Sequence, residues 1–313
     1  MSARLGAATR PTAPASSRLR FLRRNAFKYG SILPLAVFVL VFVAFPVGQL
    51  IWMSFGDITL RAGNFMWEFA GIDNFIRMSE DPLFANSLRV TAVFTISGVA
   101  LTVVLGTFLA FAVDRVVRQA QWLQNILLWP AIVTPVVISV VWLLLLSPQI
   151  GLINKILTSL GLPTQTWLGE PTGALVSIIL VDVWHWTPVV FLFVYTALRG
   201  IDSSIVEAAS VDGASYGQRV RHILLPLLTP ALVGVTAIRV IMSVKAFDEM
   251  YLLTFGGPGN ATSVITIYLR SVFFESFDYG YGAALSVTVV LLVIVLMVAT
   301  LGGRALLRRK ARG

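Results

Sequence analysis

Six stretches of the chain stay apolar for about the 20 residues that a helix needs to cross the hydrocarbon of a bilayer. Positions 32–55 and 90–113 are 24 residues each without a charged side chain, and 126–146 and 281–301 are 21 each. Segment 174–198 admits only Asp182 and His185 as ionisable groups, whereas a sixth, roughly 227–253, carries Arg239, Lys245, Asp248 and Glu249. Charges at that depth cost several kcal/mol unless they face a protein interior or a wet cavity, which marks the fifth span in chain order as the functional one. The pattern predicts an all-α membrane protein with six transmembrane helices over 32–301. The first segment is too long for a signal-peptide core and lacks a small-residue cleavage site after it, so it reads as an uncleaved first helix.

Composition fits this picture. Of 313 residues, 57% are apolar and only 12% charged, and the mean hydropathy is +0.84; soluble domains carry about 25% charged residues. A water-soluble globular protein is excluded. The net charge of +9 invites a nucleic-acid reading, but its distribution argues otherwise. Seventeen of the 24 Lys and Arg lie in 1–31, 114–125, 199–222 and 302–313, while the three intervening loops hold five. By the positive-inside rule both termini are cytosolic. The charge is a topology signal, and no nucleic-acid partner is expected. Residues 1–31 read as a basic, partly disordered cytosolic tail and 302–313 as a second basic tail.

The chain has no cysteine, which excludes disulfides and thiolate metal sites. Gly256-Gly257-Pro258-Gly259 lacks the Lys-Ser/Thr of a phosphate loop and reads as a turn. No HExxH, GxSxG or paired-carboxylate helix occurs. His185 and His222 are the only histidines, too few for a metal site. No bond-making chemistry is legible. Pro130 and Pro135 interrupt the third span and Pro188 the fourth, each as a packing kink or a hinge.

The connection 199–226 is longer than a bare link and carries helix punctuation. Ser204 with Glu207 fits a capping box, Gly213 can supply a left-handed closing residue, and Ser215 with Gln218 fits a second box. The spacing predicts two short helices outside the membrane, joined by an Asp212-Gly213 turn. Ile205, Ala208, Ala209, Val211 and Tyr216 would form a small knob that either docks into a partner's groove or packs on the base of its own bundle.

Glu207-Ala208-Ala209, then Gly213, then Ile223-Leu224-Leu225-Pro226 resembles, in residues and spacing, the EAA loop of bacterial ABC-importer permeases. Gly71–Phe75 (GIDNF), Gly151–Leu157 (GLINKIL), Trp167-Leu168 and Leu253–Pro258 are similar to the carbohydrate-uptake branch, of maltose, lactose and glycerol-phosphate type. The likeness covers about residues 30–300. One departure is Asp202, where that branch usually has proline; it exchanges a proline helix start for an Asp cap.

The resemblance implies a type I importer permease bundle in the bacterial cytoplasmic (inner) membrane. It also implies a second related permease, two ATPase subunits and an extracytoplasmic solute-binding protein as partners. ATP and Mg would be bound by the ATPase, and this chain would carry no cofactor. Glu207, Ala208, Ala209 and Gly213 would couple to the ATPase. Positions matching the branch's solute contacts are Asp182, Trp186 and Val189 on the fourth span, and Arg239, Met242, Ser243 and Ala246 on the fifth. Each set shares one helical face. Trp186 would stack on a sugar while Asp182 and Ser243 bond hydroxyls. Asp182 and Arg239 either bind solute, with Arg239 favouring an anionic one, or form a buried pair that only holds two helices together. Trp184 and His185 read as lipid-facing or packing groups. Lys245, Asp248 and Glu249 read as outer-mouth residues satisfied by water. The alternative from another class is an ion-gradient-driven secondary carrier, for which neither inverted repeats nor a titratable relay is evident.

Overall fold

The structure is a computed structural model that describes residues 30–61, 64–116 and 121–310. Most of the predicted N-terminal tail lies outside them. Helix α1 (Gly30–Ser54) belongs to a unit of its own and exposes its apolar side chains along its length, with a π turn at Leu40–Ala44. In the second unit come β1 (Gly56–Arg61), β2 (Asn64–Phe69), α2 (Asp73–Glu80) and α3 (Pro82–Val116). Then follow α4 (Gln121–Ile132), α5 (Pro135–Leu145), α6 (Leu152–Ser159), α7 (Pro171–Arg199) and α8 (Ser203–Val211). The chain continues with α9 (Tyr216–Val244, with a π turn at Val220–Leu224), α10 (Asp248–Thr254), α11 (Ile265–Phe274) and α12 (Tyr279–Lys310).

Five of these helices are long and apolar enough to cross a bilayer, and the bent pair α4–α5 makes up to six. Two predicted spans are not single rods. The third turns through 103° between α4 and α5. Pro135 causes this: it lacks an N–H and drives Thr134 to an extended φ/ψ of −69°/147°. Helix α7 carries Pro188 without a break. The fifth span ends at Val244 and resumes as α10 after Lys245-Ala246-Phe247.

The expectation of an all-α chain needs one correction. Residues 56–69 form an antiparallel hairpin, with Ile58 opposite Trp67 and Leu60 opposite Phe65; β1 alternates polar and apolar residues from Asp57 to Arg61, and β2 is rich in the aromatic residues that favour strands. Asn74 ties it to α2, donating to the carbonyls of Ser54 (3.2 Å) and Gly56 (3.0 Å). Nearby, Asp81 accepts from the hydroxyls of Tyr268 and of Tyr281 (2.5 Å). Burial raises the Asp81 carboxyl, but these hydroxyls and the backbone N–H groups that follow outweigh it and hold the group below its usual range.

Helices α3 and α7 pack along one another and α9 contacts both. One apolar cluster joins Phe94, Ile138, Ile178, Val181, Met250 and Leu253; another joins Ala110, Val190, Val194, Leu198, Leu224 and Leu228. The α3–α7 contact is close because α3 presents glycine. A Cβ at Gly106 would lie 2.7 Å from Val190 Cβ and 2.9 Å from the backbone N of Phe191. Gly106→Val should therefore destabilise the bundle by about 1–3 kcal/mol, read as a lowered Tm in detergent. Gly217→Ala, with nothing within 4 Å, should leave Tm unchanged; equal effects at both sites would refute a packed seam.

Candidate solute site and coupling loop

Between the two apolar clusters lies a polar one. The α7 helix delivers Asp182 against α3 where that helix has Gly98; a Cβ there would stand 3.0 Å from Asp182 Oδ2. Arg239 of α9 donates from Nη2 to the same oxygen at 2.6 Å. Both side chains are 1% exposed. The guanidinium carbon sits 5.0 Å over the Trp186 ring, a cation–π contact one helical turn from Asp182. Arg239 Nε and Nη1, Ser243 Oγ and Thr95 Oγ1 are buried with no hydrogen-bond partner among the described residues. Such groups are costly in an apolar interior. Together they offer N–H and O–H donors and one aromatic face, the equipment for holding a hydroxylated solute.

The structure thus brings together Asp182, Trp186, Arg239 and, one turn along α9, Ser243. Val189 is half-buried further along α7. Met242 points outward and is 45% exposed. Ala246 is not on the helical face expected of it, because the helix has already ended; it lies in the break, where its carbonyl accepts from Thr266 Oγ1 at 2.6 Å. Of the two readings of His185 the packing one holds: it is buried and bonds Glu249 through Nδ1 and Oε1. Glu249 is likewise buried, which overturns its place at a wet mouth. Sequence held a partial signal: Asp182 and His185 are three apart and share a face of α7. Trp184 is exposed and meets Trp142 edge-on at 5.5 Å, and Lys245 and Asp248 are exposed.

At the end of α7 nearest the connection, the two-helix loop is formed as its punctuation predicts, with one change. The N-cap of α8 is Asp202, which accepts from Ser204 N at 2.9 Å; that N–H and the Ser204 hydroxyl hold its carboxyl below the usual range. The expected box between Ser204 and Glu207 is therefore absent. In the helix that starts at Ser203, Glu207 is exposed while Val206 and Ala209 face the bundle base. The helix closes on Gly213 at φ +79°. Ala214 N donates to Ala209 O (3.0 Å) and Gly213 N to Ser210 O (3.1 Å), the pair of bonds of a Schellman motif. Ser215 and Gln218 form the second capping box as expected. Tyr216 is gripped by Arg115 of α3 at 5.3 Å, and Arg219 reaches back to Ser210 Oγ. The knob both packs on the base, through Val206 and Ala209, and presents an outer face with Ile205, Glu207, Ala208 and Val211, the last 88% exposed.

Residues 95–313 match the family described as binding-protein-dependent transport system inner membrane component. The chain is 35% identical over 280 residues to the trehalose/maltose transport system permease protein MalF of Thermococcus litoralis, covering 89% of this chain and 93% of that protein. It is 33% identical to the sn-glycerol-3-phosphate transport system permease protein UgpA of Yersinia pseudotuberculosis (86% and 91% covered). To the diacetylchitobiose uptake system permease protein NgcF of Streptomyces coelicolor it is 31% identical (98% and 92% covered). Its fold is similar to a chain in the crystal structure of a bacterial ABC transporter involved in the import of the acidic polysaccharide alginate, with TM-score 0.79, 21% identity, and 94% and 99% of the two chains covered.

Proposed function

From the premise that this chain belongs to the family of inner-membrane components of binding-protein-dependent transport systems, we propose that it forms half of the translocation path of a sugar or sugar-derivative importer. The polar cluster on α7 and α9 takes the solute, and the loop of α8 takes up the motion of a separate ATPase. Its partners in this reading are a second related permease, two ATPase subunits that bind ATP and Mg, and an extracytoplasmic solute-binding protein. The basic ends and the coupling loop face the cytosol.

The observation that carries the reading is the coupling loop. A buried polar cluster alone would suit many membrane proteins. A two-helix knob, capped at both ends, fastened to α3 by Arg115 and Tyr216 and directly continuous with both spans that hold the cluster, suits a part that receives force from outside the membrane. The solute class rests on the relatives' transport of trehalose, maltose, glycerol phosphate and diacetylchitobiose, as their names state. Trehalose, maltose and diacetylchitobiose are neutral and rich in hydroxyls, which suits the donors of Arg239 and Ser243 and the Trp186 face. Asp182 cancels the charge of Arg239, so neutral sugars are favoured over anionic ones.

Purifying the tagged chain from membranes in mild detergent tests this directly: an ATPase should co-purify. Glu207→Ala should leave Tm within about 0.5 kcal/mol equivalent, as expected of a surface change that touches no cap. It should cut ATPase recovery and sugar uptake at least about tenfold, roughly 1.4 kcal/mol of docking energy. Full assembly with wild-type uptake would refute a coupling role for Glu207.

A further inference from the structure

The buried His185–Glu249 pair is unused by the solute site described above, and its position along the helices is unexpected. Up to Arg239, α9 runs antiparallel to α7 in step: Leu224 clusters with Leu198 at the loop end, and Arg239, 15 residues on, meets Asp182, 16 residues back. A straight continuation would bring Glu249, ten residues further, opposite Thr172. Glu249 instead bonds His185. The offset is 13 residues of α7, or about 20 Å at 1.5 Å per residue, well beyond the reach of side chains. After the break at Lys245-Ala246-Phe247 the chain therefore folds back, and α10 lies against α7 and α5 at the level of the polar cluster.

Two buried polar pairs flank this break, Asp182–Arg239 before it and His185–Glu249 after it, and their α7 members are three residues apart on one face. Among the described residues no other polar bond holds α10 to α7; Thr266 fixes Ala246 from α11, and the remaining contacts of Met250 and Leu253 are apolar, which fixes burial but not direction. We propose that His185 and Glu249 are positioning residues: their pair latches the folded-back α10 to α7, so that α9, α10 and α7 move as one block around the solute site. Released, α10 would swing on Lys245–Phe247, and the site would no longer report its state to the coupling loop. This rests on the importer reading for its functional consequence, though not for its geometry.

The test uses the full chain in its complex, reconstituted in nanodiscs. The absence of native cysteine allows spin labels at Phe193→Cys on α7 and Asp248→Cys on α10, both exposed positions. The wild-type distance distribution should be narrow. Glu249→Ala should broaden it and raise solute-independent ATP turnover about fivefold, because ATPase motion is no longer held by a closed site. The double variant His185→Gln with Glu249→Gln can still bond across the gap, and should stay narrow with turnover within about twofold of wild type. Should Glu249→Ala fail to assemble, Glu249→Asp, whose carboxylate is one methylene short, should shift the distance in the same direction. An unchanged distribution in Glu249→Ala, or in Glu249→Asp if that variant must serve, overturns the latch. So does a broadened one with unaltered ATP turnover. Failure of any ATPase to co-purify would instead count against the importer reading, since the distance measurement stands without it.

Discussion

Asp182→Asn should cut the yield of assembled complex several-fold and abolish uptake. The change leaves the Arg239 guanidinium at 1% exposure without the carboxylate it bonds, and removing one member of a buried pair costs about 3–5 kcal/mol. Two of its nitrogens already have no partner among the described residues. Arg239→Gln should do similar damage by stranding Asp182 between α3 and α7. The double variant Asp182→Asn with Arg239→Gln is the informative one. It removes both charges at once and should restore most of the yield, because the two effects are strongly coupled. Uptake should remain at least about tenfold down, since the donors and the cation over Trp186 are gone while assembly is intact. Recovery of uptake along with yield would show that the pair serves only to hold the helices.

The second large effect is expected at Gly213. Its φ of +79° lies where a side chain costs about 1–2 kcal/mol and a β-branched one more. Gly213→Val should unwind the Schellman closure, freeing the Ala209 and Ser210 carbonyls and disorienting Glu207 and Val211 together. Sugar uptake and ATPase recovery should fall below a tenth of wild type, with the spans unaffected by thermal unfolding. Gly213→Asn, which tolerates the left-handed region, should keep at least about half the activity. Equal loss in both variants would mean that the residue matters for space, not for backbone conformation; nothing lies within 4 Å of its missing Cβ.

What the residues disclosed in advance follows from how local each signal is. Apolar runs, the Gly213 turn and the Ser215–Gln218 box depend on near neighbours and were legible. Asp202 and Ser204 were rival caps two residues apart, and the backbone took the earlier, Asp202 accepting from Ser204 N. The hairpin hid in two six-residue strands of which only the first alternates, inside a loop between spans. Lys245-Ala246-Phe247 contains neither glycine nor proline, so nothing local announced the break, and Glu249 was misplaced as a consequence. Pro135 and Pro188 looked alike, yet one opens a new helix after a break and the other sits inside a continuous one buried on several sides. Of the proposed solute face, Asp182, Trp186, Arg239 and Ser243 are gathered as helical spacing requires; Ala246 failed because that spacing presumes an unbroken helix.

The glycine-lined seam between α3 and α7 constrains what this protein can do as a machine. With Val190 and the main chain of Phe191 standing where a Cβ of Gly106 would be, and Asp182 filling the place beside Gly98, neither helix can slip past the other by a turn without collision. The two are effectively one strut. Strain delivered at the coupling loop travels along that strut and is spent where the chain already bends, at the right-angled elbow before Pro135, while the interruption after Val244 stays rigid as long as α10 is latched to α7. Alternate accessibility in this half of a transporter would then be a matter of one elbow bending about a fixed mast, which limits the number of shapes it can take and makes each one mechanically distinct.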